Sequence, residues 1–272
     1  MSDRVFFDLK STHNPHRYHL QVEPGLSVGP PGNLFMFGGV GMAASIRAME
    51  RTCERPTVWA TAQYLSYARP PSIVDLDVLV PVHGNYNSQA RVIGHVGDKE
   101  ILTVNAALGA RPSEFSHQWA VAPDVPGPEN FDPAEHWRGD DRDPDLHTRI
   151  DMRVVKGRYG KDRKGGELSP DGQVVLWVRP LEDVAIDSAM LAVFADFVPS
   201  AIGNAIGRNA GGNSLDNTIR FRHIVPTDWV LCDIRIHGVH GGFGHGRMHL
   251  FAQDGELMAS ASQSVILRIH DK

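Results

Sequence analysis

The chain has 272 residues, more than one average domain and enough for two fused copies of a small fold. Hydrophobic residues make up 42% and charged residues 22%, so there is apolar material for a sizeable core and disorder is excluded as the theme. A net charge of −5 and a pI near 6.3 exclude a general binder of phosphate backbones, which needs clustered Lys and Arg.

Cys53 and Cys232 are the only cysteines; they cannot make a disulfide framework and suit a reducing compartment. The N-terminal residues contain no apolar stretch long enough for a signal peptide, and nowhere do the ~20 apolar residues of a membrane span run together. The expectation is a cytoplasmic protein without a membrane span.

In chain order, Arg17 to Val22 alternates Tyr18, Leu20 and Val22 with polar residues, the period of a half-buried strand. From Gly38 to Cys53, the residues Met42, Ile46, Met49 and Cys53 share one helical face. After Pro56 the alternation of Val74, Leu76, Val78, Val80 and Val82 predicts a strand that ends at the His83-Gly84-Asn85 turn. Gln89 to Gly97 and Glu100 to Gly109 read as two more strands, joined at Gly97-Asp98 as a hairpin. The Pro-, Asp- and Gly-dense stretch 111–148 reads as a linker between an N-terminal unit, 1–110, and a C-terminal unit, 149–272.

The second unit repeats the plan. Strands are expected over Ile150 to Lys156 and Gln173 to Val178, and then Asp187 caps a helix from Ser188 to Val198 that is apolar nearly all round. Asp196 breaks that apolar pattern. After a Gly/Asn-rich loop come strands over Asn213 to Ile224, Trp229 to Val239, Gly244 to Gln253 and Glu256 to His270. The two units superpose at a constant offset: Ser88-Gln89-Ala90-Arg91 falls on Gly244-His245-Gly246-Arg247, and Asp98-Lys99-Glu100 on Asp254-Gly255-Glu256. An internal duplication is the economical reading, and the fold class is α+β.

A helix wrapped by an antiparallel sheet, present twice, is the plan of a double hotdog chain. Along most of its length the sequence resembles the TesB-like acyl-CoA thioesterase family. The resemblance is carried by FMFGGVGMAASIRAMERT and YLSYARPPS, the latter like the family's aromatic-x-Arg-Pro strand, in the first half. In the second half it is carried by IDMRVV, LAVFADFVPS, NSLDNTIRFR and DGELMASASQSVILR. It implies hydrolysis of an acyl-CoA substrate to free acid and CoA by a homo-oligomeric enzyme, with no cofactor and no metal. It also implies that Asp196, Ser214 and Gln263 jointly hold the attacking water, with Ser standing where the family usually has Thr. Backbone N–H groups of Gly38 and Gly39, at a helix start without Cβ atoms, are candidate donors to the oxyanion of the bound substrate.

The residues themselves fit that chemistry, each with a competing structural reading. A carboxylate inside an apolar helix is costly without partners, and burial raises its pKa toward a useful general base; the alternative is that Asp196 sits at a partly exposed edge. Gln263 lies among Leu257, Ala259, Ala261, Val265, Leu267 and Ile269 on one strand face, either as a satisfied core amide or as a water-positioning group. Its first-half counterpart at the repeat offset is Ala107, so only one half is equipped. Simple alternation puts Ser214, with Asp216 and Thr218 as alternatives, on the face opposite Leu215, Ile219 and Phe221. A bulge is required to turn Ser214 inward.

Other signals are weaker. Gly39-x-Gly41-x-x-Ala44 imitates a dinucleotide fingerprint but leads into antiparallel strands. His237, His240, His245 and His249 flank a Gly-Gly turn without a Cys or carboxylate companion and read as a solvated hairpin. Hotdog hydratases carry a His five residues after the helical Asp, where this chain has Ala201. Arg158, Lys161, Arg163 and Lys164 form a charged loop that reads as solvated, with contact to CoA phosphates as the alternative. The rival functional class is a non-catalytic acyl-CoA- or lipid-binding hotdog, distinguished by whether Asp196 and Gln263 converge.

Overall fold

The computed structural model describes residues 5–134, 144–160 and 166–270. The first half contains strands β1 (Leu9–Ser11), β2 (Arg17–Gln21), β3 (Ser27–Val28) and β4 (Phe35–Met36). Helix α1 (Gly38–Cys53) follows, then β5 (Thr57–Tyr64), β6 (Ile73–His83), β7 (Asn87–Val96) and β8 (Lys99–Gly109). The second half contains β9 (Ile150–Lys156), β10 (Gln173–Pro180), α2 (Ser188–Ala195), α3 (Val198–Ile206), β11 (Ala210–Ser214), β12 (Asp216–Phe221), β13 (Val230–His240), β14 (Phe243–Ala252) and β15 (Leu257–Ile269).

All but β3 and β4 belong to one antiparallel sheet in the order β1-β2-β6-β7-β8-β5-β12-β15-β14-β13-β10-β9, with β11 beside β15. Read from either end the order is the same plan, and the two copies meet where β5 pairs with β12. This is the double hotdog fold. The helices fill its inside: Val40, Met42, Ile46 and Met49 of α1 and Leu191, Val193 and Phe194 of α2 have no exposed surface. The start of α1 lies against the end of α2, and the start of α2 against the end of α1, so the pair is antiparallel.

The helix expected from Ser188 to Val198 is two helices. Pro199 has no N–H for the carbonyl one turn back, so α2 stops at Ala195, and Pro199 instead occupies the first turn of α3, where that N–H is not needed. The stretch read as a Gly/Asn-rich loop is largely α3, with Val198, Ile202 and Ala205 buried. Together Ser188–Ile206 makes a 19-residue stretch with an 18-residue window of mean hydropathy 1.5, long and apolar enough to cross a membrane; 83% of that window is buried in the protein, as befits a core helix.

YLSYARPPS is not a strand beyond Tyr64; the strand is the preceding β5, whose inward residues include the small Ala60 and Ala62. Within the stretch read as linker, Ala120, Ala122, Val125 and Phe131 cover an outer patch of the second half-sheet made by Val175, Trp177, Trp229, Leu231 and Phe251. The indole Nε1 of Trp177 donates to the Pro126 carbonyl at 3.0 Å.

Candidate active site

The break between α2 and α3 is what positions Asp196. It caps the end of α2 with φ −88° and ψ 17°, and is only 3% exposed, which rules out the edge position. Its Oδ2 accepts the backbone N–H of Gly39 at 2.7 Å, across the seam between the two halves. Its Oδ1 accepts the Ser214 hydroxyl at 3.0 Å and the amide Nε2 of Gln263 in a short hydrogen bond. Gln263 Nε2 also donates to Ser214 Oγ at 2.8 Å, closing a three-membered polar ring.

Ser214 reaches this ring through the bulge that alternation required. Ser214 pairs with Val265, but Thr218 pairs with Ser262, so the β11–β12 side holds one residue more than β15 between those pairs. The slip falls at Leu215, whose N–H bonds to Ser264 O and whose carbonyl accepts from Tyr64 N–H. Asp216 and Thr218, the alternatives to Ser214, are used elsewhere: Asp216 Oδ1 accepts the Ser264 N–H at 2.9 Å, and the Thr218 hydroxyl meets that of Thr61 at 2.8 Å. Gln263 faces inward between Ala261 and Val265 on β15, as the alternation predicts.

Burial is the largest influence on Asp196 and raises its pKa to about 6; the hydrogen bonds from Gln263, Gly39 and Ser214 pull the other way. Its carboxylate is therefore ionised near neutral pH and much more basic than an exposed one. Because Nε2 of Gln263 faces that anion, its Oε1 points away and has no protein partner among the described residues.

The glycines are close-approach residues. A Cβ on Gly39 would lie 2.8 Å from Val193 O and 2.9 Å from Asp196 Cβ; one on Gly38 would lie 2.8 Å from Asp196 Oδ2 and 3.0 Å from Tyr64 Cζ. The oxyanion role expected of Gly39 needs correcting: its N–H is committed to Asp196. Two neighbours were not singled out in the sequence, Tyr64 at the end of β5 and Asn217 on β12. Both carry buried polar atoms without a hydrogen bond among the described residues. Asn217 had a signal, being a polar residue of inward parity beside Ile219; Tyr64 had none.

The opposite end of the helix pair is built differently. There Glu50 of α1 accepts the Ser188 hydroxyl at 3.0 Å and the Thr57 N–H at 3.0 Å, and burial raises its pKa. Thr57, paired with Leu108 next to a register shift, stands where Ser214 stands in the other half. The counterpart of Gln263 is Ala106, not Ala107: Ala90 pairs with Ala106 as Gly246 pairs with Gln263, the repeat offset having slipped by one in the hairpin turn. Either alanine leaves this end without the amide. A cavity of about 760 Å³ opens here, lined by Glu50, Thr57, Ser188, Ile186 and Val225, and it includes none of Asp196, Ser214 or Gln263.

Of the signals weighed in the sequence, Gly39 and Gly41 lie inside α1 and precede antiparallel strands. His237, His240 and His245 are exposed, and His245 Nδ1 meets Ser264 Oγ at 3.2 Å. Arg158 donates to the Glu167 carbonyl at 2.9 Å, while Lys161, Arg163 and Lys164 lie outside the described residues.

Fold and site together define a double hotdog protein with one buried carboxylate held by a hydroxyl and an amide. The family model for the acyl-CoA thioesterase C-terminal domain matches residues 124–267, and the chain belongs to this TesB-like acyl-CoA thioesterase family. It is a thioester hydrolase. Among solved structures, a candidate thioesterase of Novosphingobium aromaticivorans DSM 12444 is 36% identical, with 96% of this chain and 98% of that chain covered and a TM-score of 0.86. A hot dog fold protein of Alicyclobacillus acidocaldarius is 19% identical, with 97% of each chain covered and a TM-score of 0.82. An acyl-CoA thioesterase II of Mycobacterium marinum is 20% identical over 97% of each chain, with a TM-score of 0.73. No curated protein matches the chain.

Proposed function

We propose that Asp196, Ser214 and Gln263 hold and activate the water that attacks the carbonyl carbon of an acyl-CoA thioester. The observation that carries this reading is the convergence of a hydroxyl and an amide on one buried carboxylate whose pKa is raised to about 6. Asp196 takes a proton from the water as its oxygen bonds to carbon, and the carbonyl electron pair moves to oxygen. When that pair returns, the C–S bond breaks, and the proton held on Asp196 passes to the departing CoA sulfur. Free acid and CoA thiol result, with no covalent acyl-enzyme. Gln263 Oε1 is oriented to accept the second O–H of the water, and Ser214 fixes the carboxylate's rotation.

The same reading places the enzyme in the cytoplasm as a homo-oligomer acting in fatty acid metabolism. Two buried, unpaired cysteines suit a reducing compartment, and the outer strands β1 and β9 offer sheet edges for association. The non-catalytic acyl-CoA- or lipid-binding alternative gives no reason for the amide and hydroxyl to meet the carboxylate. The test is release of CoA thiol from short, medium and long acyl-CoAs by the native protein and Asp196→Asn, with a loss of ~100-fold or more expected in the variant. Saturable acyl-CoA binding without turnover at any chain length would replace this reading by a binding module.

A further inference from the structure

Four buried polar atoms without a hydrogen-bond partner among the described residues gather at the Asp196 end of the helix pair: the Tyr64 hydroxyl, both amide atoms of Asn217, and Gln263 Oε1. Folded proteins leave few such atoms, and several together mark a place where something polar is received. The Tyr64 hydroxyl is the best placed of them to act on a substrate. Its residue is pinned to the bulge by the hydrogen bond from its N–H to Leu215 O at 3.0 Å. Its ring packs against Gly38, whose missing Cβ would lie 3.0 Å from Tyr64 Cζ and 2.8 Å from Asp196 Oδ2, so the phenol and the carboxylate face the same point. Burial, reinforced by the carboxylates of Asp196 and Asp216, holds the phenol well above its ordinary pKa, and it remains an O–H donor throughout the working pH range. Asn217 lies beside it without a hydrogen bond of good geometry.

Hydrolysis also needs a donor for the oxyanion, and the Gly39 N–H already serves Asp196. We propose that the Tyr64 hydroxyl donates to the thioester carbonyl oxygen and holds the negative charge that forms there. The proposal rests on the hydrolytic reading of the Asp196 site. As water adds to carbon, the carbonyl electron pair becomes a lone pair on oxygen, stabilised by the phenol O–H. Tyr64 keeps its proton, and the pair returns to re-form C=O when the C–S bond breaks. Tyr64 comes from the first half and Asp196 from the second, so the attacked carbonyl is held between the two.

Tyr64→Phe removes the hydroxyl and keeps the ring. The expected result is a fall in kcat of ~100-fold, the scale of losing one oxyanion donor, with KM changed by less than roughly threefold. The inflection of kcat with pH set by Asp196 stays near about 6. The melting temperature should change little, because the deleted hydroxyl makes no hydrogen bond of good geometry among the described residues. A trifluoromethyl ketone analogue of acyl-CoA, which mimics the tetrahedral species, should bind the variant ~100-fold more weakly, while an S-alkyl-CoA thioether, lacking the carbonyl, should bind both proteins equally. A variant turning over within about threefold of the native rate overturns the proposal, as does a loss confined to KM with a lowered melting temperature. A native protein inert toward every acyl-CoA overturns the hydrolytic reading itself.

Discussion

Asp196 sets up a stability trade that can be measured without any substrate. Unfolded, its pKa is the ordinary 3.8; folded, burial raises it to about 6. The folded state therefore keeps its proton at pH values where the unfolded chain has lost it. The contribution of this group to stability is at its best below the unfolded value, declines as pH rises between the two values, and is flat above the folded one. At about 1.4 kcal/mol per unit, the whole decline is on the order of 3 kcal/mol, of which about 2 kcal/mol falls between pH 4.5 and 7.5. Asp196→Asn has no proton to lose. Urea unfolding of both proteins at pH 4.5 and 7.5 supplies four free energies. The native protein should lose about 2 kcal/mol more than the variant between those pH values, other carboxylates cancelling in the difference. Equal pH dependence in the two proteins would mean that the Asp196 carboxyl is not held in a desolvated site, and the general-base argument would lose its physical ground.

Three further outcomes follow from the same geometry. Rate profiles of kcat against pH should rise along a single limb with its inflection near about 6, and a profile flat from pH 5 to 8 would remove Asp196 as the base. Gln263→Ala deletes a donor that lowers the Asp196 pKa, so the limb should move to higher pH while kcat falls at least about tenfold, as read from initial rates across pH. Gly39→Ala forces a methyl group to within 2.8 Å of a carbonyl oxygen and should cost ~1–3 kcal/mol in urea unfolding, whereas Gly238→Ala, with nothing within 4 Å, should be nearly neutral.

What could be read in the sequence tracks the size of the inward side chains. Strands β6 and β13 and helix α1 announce themselves because Val, Leu, Ile and Met recur at the right period. Strand β5 does not, since Ala60 and Ala62 face inward and the larger Val58 and Trp59 do not stand out against them. Asp196 and Gln263 were legible as polar residues in apolar company. Ser214 needed the family resemblance, because its direction depends on a one-residue slip between two paired strands, which no single strand's alternation encodes. The end of α2 was missed because Val198-Pro199 continues an apolar run while its missing N–H stops the hydrogen-bond ladder. Tyr64 was invisible because its neighbours, Asp196 and Leu215, lie more than a hundred residues away in the chain.

The seam between α1 and α2 has a genetic consequence. A hotdog assembled from two identical chains must carry every substitution twice, once at each end of the helix pair. Fusion lifts that symmetry: here one end holds the Gly38-Gly39 entry against Asp196, and the other uses Glu50 to tie Ser188 and Thr57 together, with Ala106 in place of the amide. Each half is then free to specialise, and neither is sufficient. A substitution in the first half at Gly38 or Gly39 therefore reaches the carboxylate, hydroxyl and amide that all belong to the second.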